Sequence, residues 1–66
     1  MIKKNKDGNI TVVWNDKNFK AIEIVECLDY MLGKEKKFYR IDFNSSTVDC
    51  EDKYSSAEKV ARKYLK

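Results

Sequence analysis

The chain has 66 residues, of which 42% are apolar and 38% charged, and a formal net charge of +3 at pH 7. That length holds one small domain, for which a net stability of about 3–5 kcal/mol is expected without a disulfide or metal staple. The sequence has no histidine, so the commonest general base and metal ligand is missing; the small basic excess permits a nucleic-acid partner without requiring one.

Residues 1–6 carry Lys3, Lys4 and Lys6, which suit an edge strand that must not pair with other chains and that is expected to fray. Asp7-Gly8 then marks a tight hairpin turn. In the strand that follows, Ile10, Val12 and Trp14 alternate with Thr11 and Val13. The bulkier set is expected to face the core and the smaller set to face away.

The segment Asp16 to Gly33 carries the strongest helical signal. Ala21, Ile22, Ile24, Val25, Leu28, Met31 and Leu32 fall on one side of a helical wheel, with Glu23 and Glu26 opposite. This spacing predicts an amphipathic helix that starts at Asn15 or Asp16 and stops at Gly33. Phe19 and Tyr30 fall among the glutamates, where no core contact explains them. Phe38–Phe43 reads as a strand with Tyr39, Ile41 and Phe43 on one face and Phe38, Arg40 and Asp42 on the other. Asn44-Ser45-Ser46 is a turn cluster, and Thr47–Glu51 a return strand with Val48 and Cys50 inward. Ser55 and Glu58 have capping-box spacing for a last helix. Its apolar stripe is Ala57, Val60, Ala61, Tyr64 and Leu65, and Lys59, Arg62, Lys63 and Lys66 lie opposite. Trp14, Tyr39, Phe43 and Tyr64 are the expected large core residues. The order implies a single α+β domain, ββαββα, with a small antiparallel sheet and two helices on one face.

The chemistry-bearing residue types are sparse. Cys27 and Cys50 lie in different elements and are too few for a disulfide framework. With no secretory leader and no apolar run of membrane-spanning length, the expectation is a cytoplasmic protein with reduced thiols and no membrane contact. Cys27 has no histidine to activate it, so no catalytic residue is expected. Asp49, Glu51 and Asp52 lack the glycine turn and ligand run of a calcium loop, so no metal and no cofactor are expected.

What remains is recognition by contact. The favoured reading is a small non-enzymatic protein that regulates or inhibits a protein partner, a description that small phage or mobile-element regulators fit. Its candidate contact residues are Phe19, Glu23, Glu26 and Tyr30, an aromatic and acidic set, with Phe38 and Arg40 on the open face of the sheet, a face that could also be a homodimer seam. The alternative is a DNA- or RNA-binding module that tracks phosphates with Lys59, Arg62, Lys63 and Lys66, joined by Lys36 and Lys37.

Overall fold

The computed structural model describes residues 2–66. Five strands follow one another: β1 (Ile2–Asp7), β2 (Ile10–Asn15), β3 (Lys20–Met31), β4 (Lys34–Phe43) and β5 (Ser46–Glu51). A single helix, α1 (Tyr54–Leu65), closes the chain. The strands form one antiparallel sheet in the order β1-β2-β3-β4-β5. The expected ββαββα arrangement is therefore corrected to a meander with one helix.

Turn chemistry explains the meander. Three of the four connections are two residues long, and such turns join only antiparallel neighbours. Gly8 (φ 62°) takes the first position of the β1–β2 turn. Leu32 (φ 54°) and Gly33 (φ 75°) form the β3–β4 turn, and Asn44 (φ 51°) and Ser45 (φ 65°) the β4–β5 turn. Two-residue hairpins use either a left-handed pair, as at Leu32-Gly33 and Asn44-Ser45, or a glycine with positive φ at the first position, as at Gly8. Gly33 is thus a hairpin glycine and not a helix stop. The longer β2–β3 turn is held by asparagine: Asn15 Oδ1 accepts the Lys17 N–H at 3.0 Å, and Asn18 Oδ1 accepts the Lys20 N–H at 3.2 Å. The side-chain chemistry that suggested a helix cap at residue 15 serves a turn instead.

The segment expected to be the first helix is the longest strand. Ile22 and Ile24 are buried while Glu23 between them is exposed, a period of two. Ile22, Ile24 and Val25 are β-branched, which favours the pleated sheet.

One face of the sheet packs on α1. The core is Val13, Ile22, Ile24 and Ile41 against Ala57, Ala61 and Leu65, each at most 1% exposed. Tyr39, Phe43, Val48, Tyr54 and Val60 pack around it. Ala57 and Ala61 turn their short side chains to the sheet, and Thr11 and Val13 of β2 are buried on this side. The bulkier set of β2 points the other way, reversing the expected orientation: Ile10, Val12 and Trp14 belong to the uncovered face. In β5 a bulge opposite Ile41 and Asp42 shifts the register. It keeps Val48 against the core but turns Cys50 out to solvent, where a core position was expected.

The expected frayed strand is formed from Ile2 onward; Met1, part of that stretch, lies outside the described residues. Ile2 packs on the core, and Lys4 Nζ donates to Glu58 Oε1 of α1 at 3.1 Å. The helix starts at Tyr54, with Lys53 at the cap position and no side-chain cap bond. Ser55 therefore lies inside the first turn, and the Ser55–Glu58 capping box is not made. Its basic face is as expected: Lys59, Arg62, Lys63 and Lys66 are all exposed.

Candidate functional site: the uncovered face of the sheet

Strand register places side chains on faces. Pairs directly opposite in an antiparallel ladder share a face, and α1 covers the side that holds Thr11, Val13, Ile22, Ile24 and Ile41. The other side is crossed by rows: Lys3, Trp14 and Ala21; Asn5, Val12, Glu23, Asp42 and Thr47; Asp7, Ile10, Val25, Arg40 and Cys50. Cys27 faces Phe38, Asp29 faces Lys36, and Met31 faces Lys34. Among the described residues no element covers this side. Trp14, Val12, Ile10, Val25 and Phe38 make a continuous apolar diagonal across it. All but Ile10 are half-buried by their neighbours, and Ile10 is just exposed.

The diagonal ends in an open groove of about 500 Å³ lined by Val12, Trp14, Ala21 and Phe19. Phe19 is 93% exposed at a φ of 58°, a left-handed conformation that bulky residues seldom adopt. At the centre, Arg40 Nε lies 3.1 Å from both Asp42 oxygens, and Thr47 Oγ1 donates to Asp42 Oδ1 at 2.9 Å. The Asp42 carboxylate holds the Arg40 guanidinium above its ordinary range, first through this hydrogen bond and then through charge. The strands supply four basic side chains to this face (Lys3, Lys34, Lys36, Arg40) and four acidic ones (Asp7, Glu23, Asp29, Asp42), so it is electrically balanced.

The expected contact residues separate. Glu23, Phe38 and Arg40 lie on the uncovered face, and Phe19 borders it. Glu26 and Tyr30 are even-numbered on β3 and lie on the helix side. About 35 Å of strand, at 3.2–3.4 Å per residue, stands between Phe19 and Tyr30. The four residues Phe19, Glu23, Glu26 and Tyr30 therefore do not form one patch, because the helix that would have aligned them is a strand. Residues assigned to the core instead, Trp14, Val12 and Ile10, make the largest contribution to the face. Their alternation with Thr11 and Val13 was visible; which set faced outward was not.

The basic residues also divide. Lys59, Arg62 and Lys63 are exposed on α1 and Lys66 just past its end, and of these Arg62 pairs with Glu58 at 3.3 Å. Lys36 and Lys37 lie on the distal part of β4, beyond the helix start, and pair with Asp52 at 3.8 Å and Glu26 at 3.5 Å. The six do not make one cationic track.

On the helix side, a cleft of about 560 Å³ lies beside the start of α1, lined by Lys4, Lys6, Thr11, Ile24, Glu26, Tyr39 and Tyr54. Tyr54 Oη donates to Thr11 Oγ1 at 3.4 Å, and the Tyr39 and Tyr54 rings meet edge to face at 5.6 Å. Among the described residues no three His, Cys, Asp or Glu side chains are placed to hold a metal ion. No helix among them is long and apolar enough to cross a membrane.

The fold and face define a small α+β protein with one packed and one bare sheet surface. No family model matches the chain, and no curated protein or solved structure matches it significantly.

Proposed function

We propose that this chain is a small non-enzymatic binding protein that regulates a protein partner by contact through the uncovered face of its sheet. The observation that carries the reading is the apolar diagonal Trp14, Val12, Ile10, Val25 and Phe38 on a face with balanced charge. Aromatic and Arg side chains concentrate binding energy at protein interfaces, and Trp14, Phe38 and Arg40 supply both here. A surface with four positive and four negative side chains gains little from phosphate neutralisation, the main source of nucleic-acid affinity.

Trp14 is the one tryptophan in the chain, so its emission reports on this face directly. The wild-type protein is used as bait, a protein that it retains is purified, and that protein is titrated into wild type and into a Val12→Ser/Phe38→Ser variant of equal fold. Binding should shift Trp14 emission, and the variant should bind at least about tenfold more weakly, equivalent to about 1.4 kcal/mol. Equal binding by the variant, with no change in Trp14 emission, overturns the reading. A salt-sensitive NMR titration by duplex or single-stranded nucleic acid, centred on Lys59, Lys63 and Lys66, replaces it with the nucleic-acid alternative.

A further inference from the structure

β3 and β4 run past their outer neighbours. β2 pairs with β3 only as far as Val25, and β5 with β4 only as far as Tyr39. Beyond them a two-stranded ribbon, residues 27–38, projects from the sheet and draws the molecule out to 45 Å against 20 Å in its other dimensions.

Alternate residues of an antiparallel pair turn both backbone groups toward the partner strand or away from it. Glu26 sends its N–H to the Asn9 carbonyl at 2.7 Å, and Asn9 Nδ2 donates to the Glu26 carbonyl at 3.3 Å. Both groups of Glu26 thus face β2. Leu28 and Tyr30 are in phase with Glu26, so their N–H and C=O groups face the same way, past the end of β2. A cleft of about 540 Å³ lies beside this notch, lined by Asn9, Glu26, Cys27 and Leu28 and, across the ribbon on β4, by Glu35 and Lys37.

The other long edges are blunted. β1 presents Lys4 and Lys6, β5 is bulged and carries Asp49 and Glu51, and the distal edge of β4 is Lys34-Glu35-Lys36-Lys37, four charges in succession. Charges and bulges are the devices that keep edges from pairing. The distal edge of β3, Cys27-Leu28-Asp29-Tyr30-Met31, has a single charge. Leu28 is 51% and Tyr30 69% exposed.

We infer that residues 27–31 form a strand-addition site for an extended segment of a protein partner, apolar where it faces Leu28 and Tyr30 and basic where it faces Asp29. Main-chain bonds to Leu28 and Tyr30 supply affinity, and the alternating side chains supply selection. A second copy of this chain fits poorly. The two-fold register that sets Leu28 against Tyr30 of the copy also sets Asp29 against Asp29, and like charges directly opposite are destabilising. The inference rests on the reading that the partner is a protein, and adds a contact that the uncovered face does not make.

The test is amide hydrogen exchange of the full 15N-labelled chain with a blocked synthetic pentapeptide, Thr-Val-Lys-Val-Thr. Exchange at Leu28 and Tyr30 should slow about tenfold when free peptide is ten times its Kd. A peptide with Glu in place of Lys should bind more weakly. Tyr30→Pro removes one outward N–H without breaking the β3–β4 ladder, and Leu28→Lys blunts the edge; each should abolish the protection. Val12→Ser should leave it unchanged, which separates this site from the uncovered face. Protection confined to β1 or β5, shifts centred on Trp14 and Val12, or no protection at millimolar peptide overturns the inference. None of these outcomes alters the partner test read at Trp14.

Discussion

Asn15 and Leu65 are fifty residues apart in sequence, and Asn15 Nδ2 donates to the Leu65 carbonyl at 2.9 Å. Asn18 Nδ2 reaches the same oxygen at 3.2 Å. The last carbonyls of a helix have no partner within it, and here the β2–β3 turn supplies one. The same two side chains brace that turn through their oxygens, so turn and helix end are one unit. Asn15→Ala should cost about 1–2 kcal/mol, the loss of one partly shielded and one exposed hydrogen bond. Asn18→Ala should cost less, because its bonds are longer and it is exposed. Urea unfolding of the two variants gives the order.

Val12 and Val13 are adjacent and identical in chemistry, yet one lies on the uncovered face and the other under α1. Val13→Ser leaves a void and an extra hydroxyl in the core and should cost about 2–4 kcal/mol. That removes most of the stability expected of so short a chain, about 3–5 kcal/mol, so this variant should be only marginally folded, with a much lower urea midpoint. Val12→Ser should cost about 1 kcal/mol or less. Circular dichroism during urea unfolding distinguishes them, and the reverse ranking would mean that β2 is turned over.

The same pair marks how far the sequence could be read. Both alternating sets of β2 are rich in β-branched residues and each holds a valine, so periodicity located the strand and its turn but not its inward side. The packing against the helix made that choice: Val13, not Trp14, joins Ala57, Ala61 and Leu65 in the core. Residues 20–28 satisfied two periods at once, since Ile22, Ile24, Val25 and Leu28 fit a helical wheel as well as a strand. The misplaced aromatics were the sign of the wrong period. Phe19 and Tyr30, stranded among glutamates on the wheel, sit at opposite ends of a strand. Cys50 could not be placed because a bulge reverses the alternation of β5. The last helix was legible because Ala57, Ala61 and Leu65 recur at a spacing of four with lysines opposite. Of the candidate contact set, Phe38 and Arg40 were legible through the clean alternation of Phe38–Phe43.

Leu32 occupies the first position of the β3–β4 turn at a φ of 54°, and it is 98% exposed. It gains nothing from burial there, and the left-handed conformation costs an ordinary side chain about 1–2 kcal/mol. Asn tolerates that conformation and is the preferred partner of a following Gly in such turns. Leu32→Asn should therefore stabilise the chain by about 1 kcal/mol, read as a higher urea midpoint at unchanged slope. Gly33→Ala should act in the opposite direction, since φ at Gly33 is 75°; nothing lies within 4 Å of the added Cβ, so the loss would report backbone strain alone.

Glu58 joins the first strand to the helix: its Oε1 accepts from Lys4 Nζ at 3.1 Å and lies 3.3 Å from Arg62 Nη2. The hydrogen bond from Lys4 is the main reason its carboxyl is held below the ordinary value of 4.5, with partial burial opposing and Arg62 assisting. A carboxyl depressed in the folded state binds protons more readily when unfolded, so folding is favoured where the group is ionised. The contribution is complete above about pH 5, near the upper end of unfolded Glu titration, and is lost as pH falls through the folded-state value. Glu58→Gln should therefore be less stable than wild type at pH 7, and the gap should close on acidification. Lys4→Met should show the same convergence, because Lys4 supplies most of the depression. Urea midpoints for the three proteins at pH 7 and pH 3 test this. A gap that persists undiminished at pH 3 would assign the role of Glu58 to packing of its side chain against β1 instead of to its charge.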